Sequence, residues 1–173
     1  TRTRSFNAFS SIDYPETAVF RDTRLVTFLR RPADQPPVRF YERLESAVFV
    51  LRLVPGMRAD IIPLLVPHYR ALVLESFGVG GLPGGEHGEM FAALRRWGES
   101  GRLAVFTTQV PHEGCDLAVY EVGRAVGELP GVLEARDMTP EAVAVKLMWA
   151  LGQTDDREKA ARLFETPIEY DII

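Results

Sequence analysis

The stretch ALVLESF (71–77), followed by GVGGLPG (78–84), decides the fold of this chain. Residues 71–74 are apolar at four consecutive positions. That is typical of a strand buried on both faces, because a strand with one solvent-facing side alternates apolar and polar residues. Runs of the same kind occur at 47–53 (AVFVLRL) and 103–109 (LAVFTTQ). The sequence therefore predicts three strands of a sheet that is covered on both sides.

Helical segments separate and follow these runs. The segment 86–100 repeats apolar residues at helical spacing. We predict a helix over 116–129 with Asp116 as its N-cap, and another that begins after Thr139 with Pro140 at its first position. Strands that alternate with helices form right-handed crossovers and a parallel sheet. The predicted fold class is therefore α/β, a three-layer α/β/α domain of Rossmann-like or flavodoxin-like type with a small parallel sheet.

The first part of the chain has a different pattern. TAVFRDTRLVTFL (17–29) predicts a hairpin, and RRPADQPPVRF (30–40) predicts a stiff connector because it holds three prolines in eleven residues. We therefore expect an interdomain linker with a hairpin over 1–45 and an α/β domain over 46–173. The first methionine is Met57, and we expect the chain to be the surviving part of a longer protein.

Composition narrows the class of protein. The 173 residues carry a formal net charge of −4, so neither a nucleic-acid partner nor a membrane surface is predicted. The apolar runs reach only about six residues, which is too short to cross a bilayer. Cys115 is the single cysteine and fits a reducing compartment. We expect a cytoplasmic protein that needs no cofactor.

The glycine-rich segment 78–84 does not carry a nucleotide-binding motif. The dinucleotide fingerprint requires glycine at its first, third and sixth positions, and counting from Gly78 the sixth position is Pro83. A phosphate-binding P-loop would close with lysine, which is missing here. Two interpretations stay open: the glycines form a tight turn, or their backbone approaches a small ligand or another subunit.

Nucleophilic and metal-binding residues are sparse. His68, His87 and His112 lie far apart in the sequence, which favours surface histidines over metal ligands. Cys115 could act as a nucleophile only with His112 as its base, and no third group is evident to orient that pair. No metal site is predicted, and the residues by themselves leave the chemistry undetermined.

Several stretches resemble one family. LRLVPGM (51–57), ALVLESFGVGGLP (71–83), FTTQVPHEGCDLAVYEVG (106–123) and DMTPEAVAVKLMWALG (137–152) look like the carboxyl-terminal half of cytosolic, type I L-asparaginases. They resemble equally the asparaginase-like subunit of a tRNA-dependent amidotransferase. FNAFSSIDYP (6–15) is similar to the segment that joins the two halves of those proteins.

The resemblance implies a two-domain amidohydrolase that converts L-asparagine and water to L-aspartate and ammonia. In that family a threonine nucleophile, a Thr-Asp pair and a lysine belong to the amino-terminal domain, in TGGTI-like and HGTDT motifs. Neither motif occurs in this sequence. The chain is thus expected to be inactive alone, to require an amino-terminal catalytic domain, and to complete the active site of a homodimer or tetramer.

The resemblance also places candidate residues for substrate binding or for a subunit interface. These are Gly78, Gly80, Gly81, Thr108, Gln109, Tyr120 and Glu121. Gly81 stands where the family usually has asparagine, so a side-chain amide contact is lost. Some bacterial members bind a second, allosteric asparagine through an arginine and a cysteine. Glu75 and Val110 occupy those positions, so we expect no such site.

Two other functions stay open. The chain could be a stand-alone, non-enzymatic domain that binds a small molecule or regulates a partner. It could also belong to the amidotransferase, whose substrate would be glutamine and whose partner would carry tRNA.

Overall fold

A computed structural model describes residues 15–29, 37–78, 80–110 and 112–172. The chain divides into two compact units, Thr1–Glu42 and Arg43–Ile173. Most of the predicted connector, residues 30–36, and most of the segment 6–15 lie outside the described residues.

The first unit contains the predicted hairpin. Strand β1 (Ala18–Arg21) pairs antiparallel with β2 (Arg24–Thr27). Asp22 lies in the two-residue turn with φ of 53°, a left-handed conformation that aspartate tolerates better than most residues. Hairpins with two-residue turns need such a conformation to match the strand twist. The hairpin is therefore confirmed.

The second unit is built on a four-stranded parallel sheet. Its strands are β3 (Val48–Arg52), β4 (Ala71–Ser76), β5 (Leu103–Thr108) and β6 (Val132–Glu134), and they lie side by side in chain order. The three predicted strands are present. The sequence does not predict β6, because three residues are too few to show a strand pattern. These residues form a strand because they pair with β5.

Helices cover both faces of the sheet. α1 (Ile61–Leu65), α2 (Glu89–Glu99) and α3 (Glu121–Gly127) lie within the three crossovers. Successive right-handed crossovers in one direction place these helices on the same face. α4 (Pro140–Gln153) and α5 (Arg157–Glu165) pack on the opposite face. The three-layer α/β/α fold class is confirmed, and no described helix is long and apolar enough to span a membrane.

The sheet separates two hydrophobic cores. On β4, Leu72 and Leu74 join the core under α2, whereas Ala71 and Val73 join the core under α4. All four are fully buried, which is why the run shows no alternation in sequence. Burying a leucine or valine side chain contributes about 1.5–3 kcal/mol, so the central strands are the most strongly stabilised part of the unit.

The N-cap residues in the sequence predicted the start of α4 correctly and the start of α3 incorrectly. Thr139 caps α4, with its side chain accepting a hydrogen bond from the Ala142 N–H at 3.4 Å. α3 was expected from Asp116 but begins at Glu121. The Asp116 carboxylate instead accepts from the Ala118 N–H at 2.8 Å and forms a turn. A Cβ on Gly123 would lie 2.4 Å from the Leu117 carbonyl oxygen, so the segment before α3 crosses the helix and cannot extend it.

Candidate functional site

The loops that follow β4 and β5 meet at one edge of the sheet. In parallel sheets the carboxyl ends of the strands share an edge, and ligands bind there. The glycine loop (77–84) follows β4, and the second loop (109–120) follows β5. All seven candidate residues belong to these two loops or their immediate ends.

The glycine loop is a tight turn that closes on itself. The Gly81 N–H donates to the Phe77 carbonyl oxygen at 2.9 Å, and the Phe77 N–H donates back to Gly81 at 3.4 Å. Gly78 and Gly80 have φ of 51° and 144°, which favour glycine. A Cβ on Gly80 would lie 2.8 Å from a Leu117 methyl carbon. At Gly80 the bare backbone therefore approaches the neighbouring loop of the same chain, while Gly78 is exposed.

Thr108 joins the two loops. Its hydroxyl donates to the carbonyl oxygen of Gly78 and accepts from the Val110 N–H at 3.0 Å. The side chain is buried at the end of β5. Both contacts are made to backbone, so Thr108 holds the glycine loop against the end of β5.

Gln109 ties together the ends of two strands. Its amide nitrogen donates to the carbonyl oxygens of Leu53 at 2.6 Å and Glu75 at 2.8 Å. Its amide oxygen accepts from the Arg52 Nε at 3.2 Å. Since the donors of the side-chain amide are both engaged, Gln109 acts in this structure as a brace across β3 and β4.

Tyr120 and Glu121 are two candidates that lie open to solvent. Tyr120 is the N-cap residue of α3 and is 62% exposed, and Glu121 begins the helix. Val122 lies beside Gly85, the residue directly after the glycine loop, with a methyl carbon 4.0 Å from the Cβ position of that glycine. The fold thus brings the start of α3 next to the glycine loop. Gln109 points instead toward the ends of β3 and β4.

A polar row crosses three adjacent strands on the α4 side. Arg52, Glu75 and Thr107 are paired in register, and the Glu75 carboxylate lies 3.8 Å from the Arg52 Nε. Among the described residues, the buried Thr107 hydroxyl has no hydrogen-bond partner. A buried hydroxyl without a partner costs about 1–3 kcal/mol, so this position is unfavourable for the isolated unit.

Cys115 is poorly suited to nucleophilic chemistry. It is buried, and burial, followed by the negative charges of Glu134 and Asp116, raises the pKa of its thiol from 9.0 to about 12. The thiolate is the reactive form, so the thiol stays protonated at neutral pH. His112, like His68 and His87, is exposed. Within the described residues no group of three or more histidine, cysteine, aspartate or glutamate side chains could hold a metal ion.

Two residues that shape this edge, Leu117 and Glu134, belong to no sequence motif that would have identified them. Leu117 fills the space beside Gly80 and Gly123. The Glu134 carboxylate accepts a hydrogen bond from the Leu117 N–H at 2.6 Å and holds that leucine in place. Their partners lie on other elements, so only the assembled sheet brings them together.

The second unit has relatives among known proteins. Residues 47–164 match the family model described as the glutaminase/asparaginase C-terminal domain. The chain is 38% identical over 167 residues to an L-asparaginase of Thermococcus kodakarensis, an alignment that covers 96% of this chain and 50% of that protein. It is also 35% identical over 173 residues to a glutamyl-tRNA(Gln) amidotransferase subunit of Metallosphaera sedula, covering 95% of this chain and 38% of the relative.

Solved structures agree with these matches. The thermostable L-asparaginase of Thermococcus kodakarensis superposes with a TM-score of 0.89 at 33% identity, covering 99% of this chain and 52% of the other. L-asparaginase I of Vibrio cholerae superposes with a TM-score of 0.80 at 25% identity, covering 96% and 50%. The chain therefore spans about half, or less, of the length of the relatives that it matches.

Proposed function

Because this chain belongs to the glutaminase/asparaginase C-terminal domain family, we propose that it is the carboxyl-terminal domain of an L-asparaginase. The observation that carries the proposal is the match over residues 47–164, together with 38% identity to an L-asparaginase of which the chain covers 50%. The parent enzyme would hydrolyse L-asparagine to L-aspartate and ammonia. Amide hydrolysis needs only water as co-reactant, so no cofactor enters the proposal.

The proposed role of this domain is to complete an active site whose nucleophile lies in an amino-terminal catalytic domain. Hydrogen bonds within the chain preshape the glycine loop through Thr108, so little ordering would be needed when the loop meets a partner. Gly78, Tyr120 and Glu121 are exposed at the same edge. These three are the residues that we propose for contact with substrate or a neighbouring subunit. Gly80 packs against Leu117 behind the glycine loop, whereas Gln109 braces the ends of β3 and β4.

The parent is proposed to be a cytoplasmic homodimer or tetramer. The protonated Cys115 thiol supports the view that the chain does not supply the nucleophile. An exposed carboxylate such as Glu121, at the start of α3, is well placed to reach across an interface, because side chains on a helix are tilted toward its amino end. Such a residue would act in a neighbouring subunit rather than in its own.

A second candidate is the tRNA-dependent amidotransferase. The 35% identity to a glutamyl-tRNA(Gln) amidotransferase subunit favours it. In that case the substrate would be glutamine, and a partner protein would carry tRNA. The two candidates share the fold of this domain and differ in the substrate and partner of the parent.

The test compares the chain 1–173 with the full-length protein that contains it. Ammonia release is measured with L-asparagine and with L-glutamine. We expect turnover of L-asparagine by the full-length protein and none by the chain alone. Faster release from glutamine, dependent on a partner protein, would favour the amidotransferase. Turnover by the isolated chain, or none by the full-length protein with either amide, would overturn both.

A matched pair of variants tests the role of Glu121 in the full-length protein. Glu121→Gln is expected to lower kcat/KM about tenfold or more, equivalent to about 1.4 kcal/mol of transition-state stabilisation. Glu128→Gln serves as the control, because Glu128 is also exposed but lies at the other end of α3. Equal activity of the two variants would show that Glu121 is an ordinary surface residue.

A further inference from the structure

A small cavity lies at the opposite, amino edge of the sheet. It has a volume of about 210 Å³ and is lined by Arg70, Arg102 and Arg157, with Asp155 at its rim. Arg70 directly precedes β4, Arg102 directly precedes β5, and Arg157 is the first residue of α5. Three separate segments thus each contribute a half-buried arginine to one space.

The cavity concentrates positive charge in a protein that is negative overall. Its lining carries three guanidinium groups and one carboxylate, whereas the whole chain has a formal net charge of −4. Like charges in a partly buried site repel one another more strongly than in water, because the local dielectric constant is lower. An anion in the cavity would remove that repulsion.

One of the three arginines is hydrogen-bonded to the protein through all three of its nitrogen atoms. The Arg102 Nε donates to the Tyr69 carbonyl oxygen at 3.1 Å, and its Nη2 donates to that of Val66 at 2.8 Å. Its Nη1 donates to the Ser100 hydroxyl at 2.8 Å, and its guanidinium carbon lies 5.4 Å from the centre of the Trp97 ring. Arg102 is therefore held in place by the protein and contributes a fixed charge to the cavity.

The other two arginines keep donors available. Arg157 donates from Nη1 to the Gly98 carbonyl oxygen at 3.0 Å. The Nη1 of Arg70 lies 3.2 Å from a carboxylate oxygen of Glu45 and 3.3 Å from one of Asp155. In the part of the chain that the structure describes, the Nε and Nη2 groups of these two arginines make no hydrogen bond. A planar guanidinium with free N–H groups matches the oxygens of phosphate.

The two carboxylates beside Arg70 are held very differently. Glu45 also accepts a hydrogen bond from the Ala47 N–H at 2.9 Å. That bond, assisted by Arg70, keeps the pKa of Glu45 below its ordinary value despite partial burial. The side chain of Asp155 is fully exposed, and an exposed ion pair contributes only about 0–1 kcal/mol. Asp155 can therefore leave Arg70 at little cost when a stronger anion arrives.

We propose that this amino-edge cavity binds a phosphate-sized dianion, either inorganic phosphate or the phosphate group of a small metabolite. Arg70 and Arg157 are the direct ligands, Arg102 supplies fixed charge, and Asp155 is displaced. The volume of about 210 Å³ has room for several water molecules, and it lies below the roughly 300 Å³ typical of sites for larger ligands. Once Asp155 has left, the three arginines and the Glu45 carboxylate that stays on Arg70 leave a net charge of +2 around the cavity, which matches a dianion.

Calorimetric titration with inorganic phosphate at pH 7.5 and low, constant ionic strength tests the proposal. We expect saturable binding that Arg157→Gln weakens about tenfold or more, since a direct charged ligand is lost. Asp155→Asn should tighten binding about three- to tenfold, because it removes the competing carboxylate. Arg58→Gln is the matched control: Arg58 is an exposed arginine that pairs with Asp60 at 2.7 Å, and its loss should leave phosphate binding unchanged.

The Asp155 variant keeps the test decisive even if loss of an arginine impairs folding. Tighter binding by Asp155→Asn than by the unsubstituted chain supports the proposal. Stronger binding of glycerol phosphate or AMP than of inorganic phosphate would identify a metabolite as the source, and the reverse order would identify the free ion. Absence of saturable binding up to about 10 mM phosphate, well beyond ordinary small-ligand affinities, would overturn the site. So would equal affinity in the Asp155 and Arg157 variants.

Discussion

Replacement of Gln109 by glutamate tests whether this residue braces the ends of β3 and β4. The substitution keeps the shape of the side chain but replaces the amide donors with a carboxylate oxygen. Two hydrogen bonds, to Leu53 at 2.6 Å and to Glu75 at 2.8 Å, are lost. Each contributes about 1 kcal/mol net, and the carboxylate then faces two carbonyl oxygens.

The expected loss follows from these contacts. Two hydrogen bonds at about 1 kcal/mol each, and a further ~1 kcal/mol for the unfavourable carboxylate–carbonyl contact, give about 3 kcal/mol. A closer ion pair with Arg52 offsets less than about 1 kcal/mol, because that arginine is exposed. The free energy of unfolding should fall by about 2–3 kcal/mol. The melting temperature should fall by about 4–12 °C, at about 2–4 °C per kcal/mol.

Urea denaturation of the chain 1–173 measures this loss. Gln109→Met removes the donors without adding charge and should cost about 2 kcal/mol. His112→Glu adds a carboxylate to the same loop at an exposed position and should change stability by less than about 0.5 kcal/mol. If both Gln109 variants unfold within about 0.5 kcal/mol of the unsubstituted chain, the brace makes no net contribution and the reasoning is refuted.

Two further predictions concern buried side chains at the same edge. Thr107→Val should leave the free energy of unfolding of the isolated chain in urea unchanged or raise it by up to about 1 kcal/mol, because it removes a hydroxyl without a described partner. A marked loss of stability would mean that the hydroxyl is hydrogen-bonded in solution. The pKa of the Cys115 thiol, raised to about 12, should prevent alkylation of the folded chain at pH 8. Because the unfolded thiol titrates near 9.0, stability relative to Cys115→Ala should fall as pH rises from 9.0 toward 12. Rapid alkylation of Cys115 in the folded chain at pH 8 would contradict the raised pKa of its thiol.

The elements that could be predicted are those whose cause is local. The apolar runs around 71–76 and 103–108 indicated doubly covered strands, and both are buried along nearly their whole length. Thr139 followed by Pro140 marked the start of α4, because a hydroxyl cap and a proline at the first position act within one turn. Patterns of this kind need no information from the rest of the chain.

The sequence-based predictions fail where residues distant in the sequence determine the secondary structure. β6 exists because residues 132–134 pair with β5, and three residues carry no readable pattern. α3 begins late because Gly123 receives the crossing backbone of Leu117. A good N-cap residue at Asp116 was not sufficient, since its carboxylate is used in a turn instead.

For the candidate site, the sequence by itself determined the family, the parallel sheet and the edge at which the glycine loop lies. Only the tertiary structure decided what each residue does there. It set Gly80 against Leu117, engaged the amide of Gln109 with two strand ends and left Glu121 exposed. It also gathered Arg70, Arg102 and Arg157 around one cavity. The physical reason is that periodicity and capping act over a few residues, whereas the partner of a side chain is set by which strands and helices pack together.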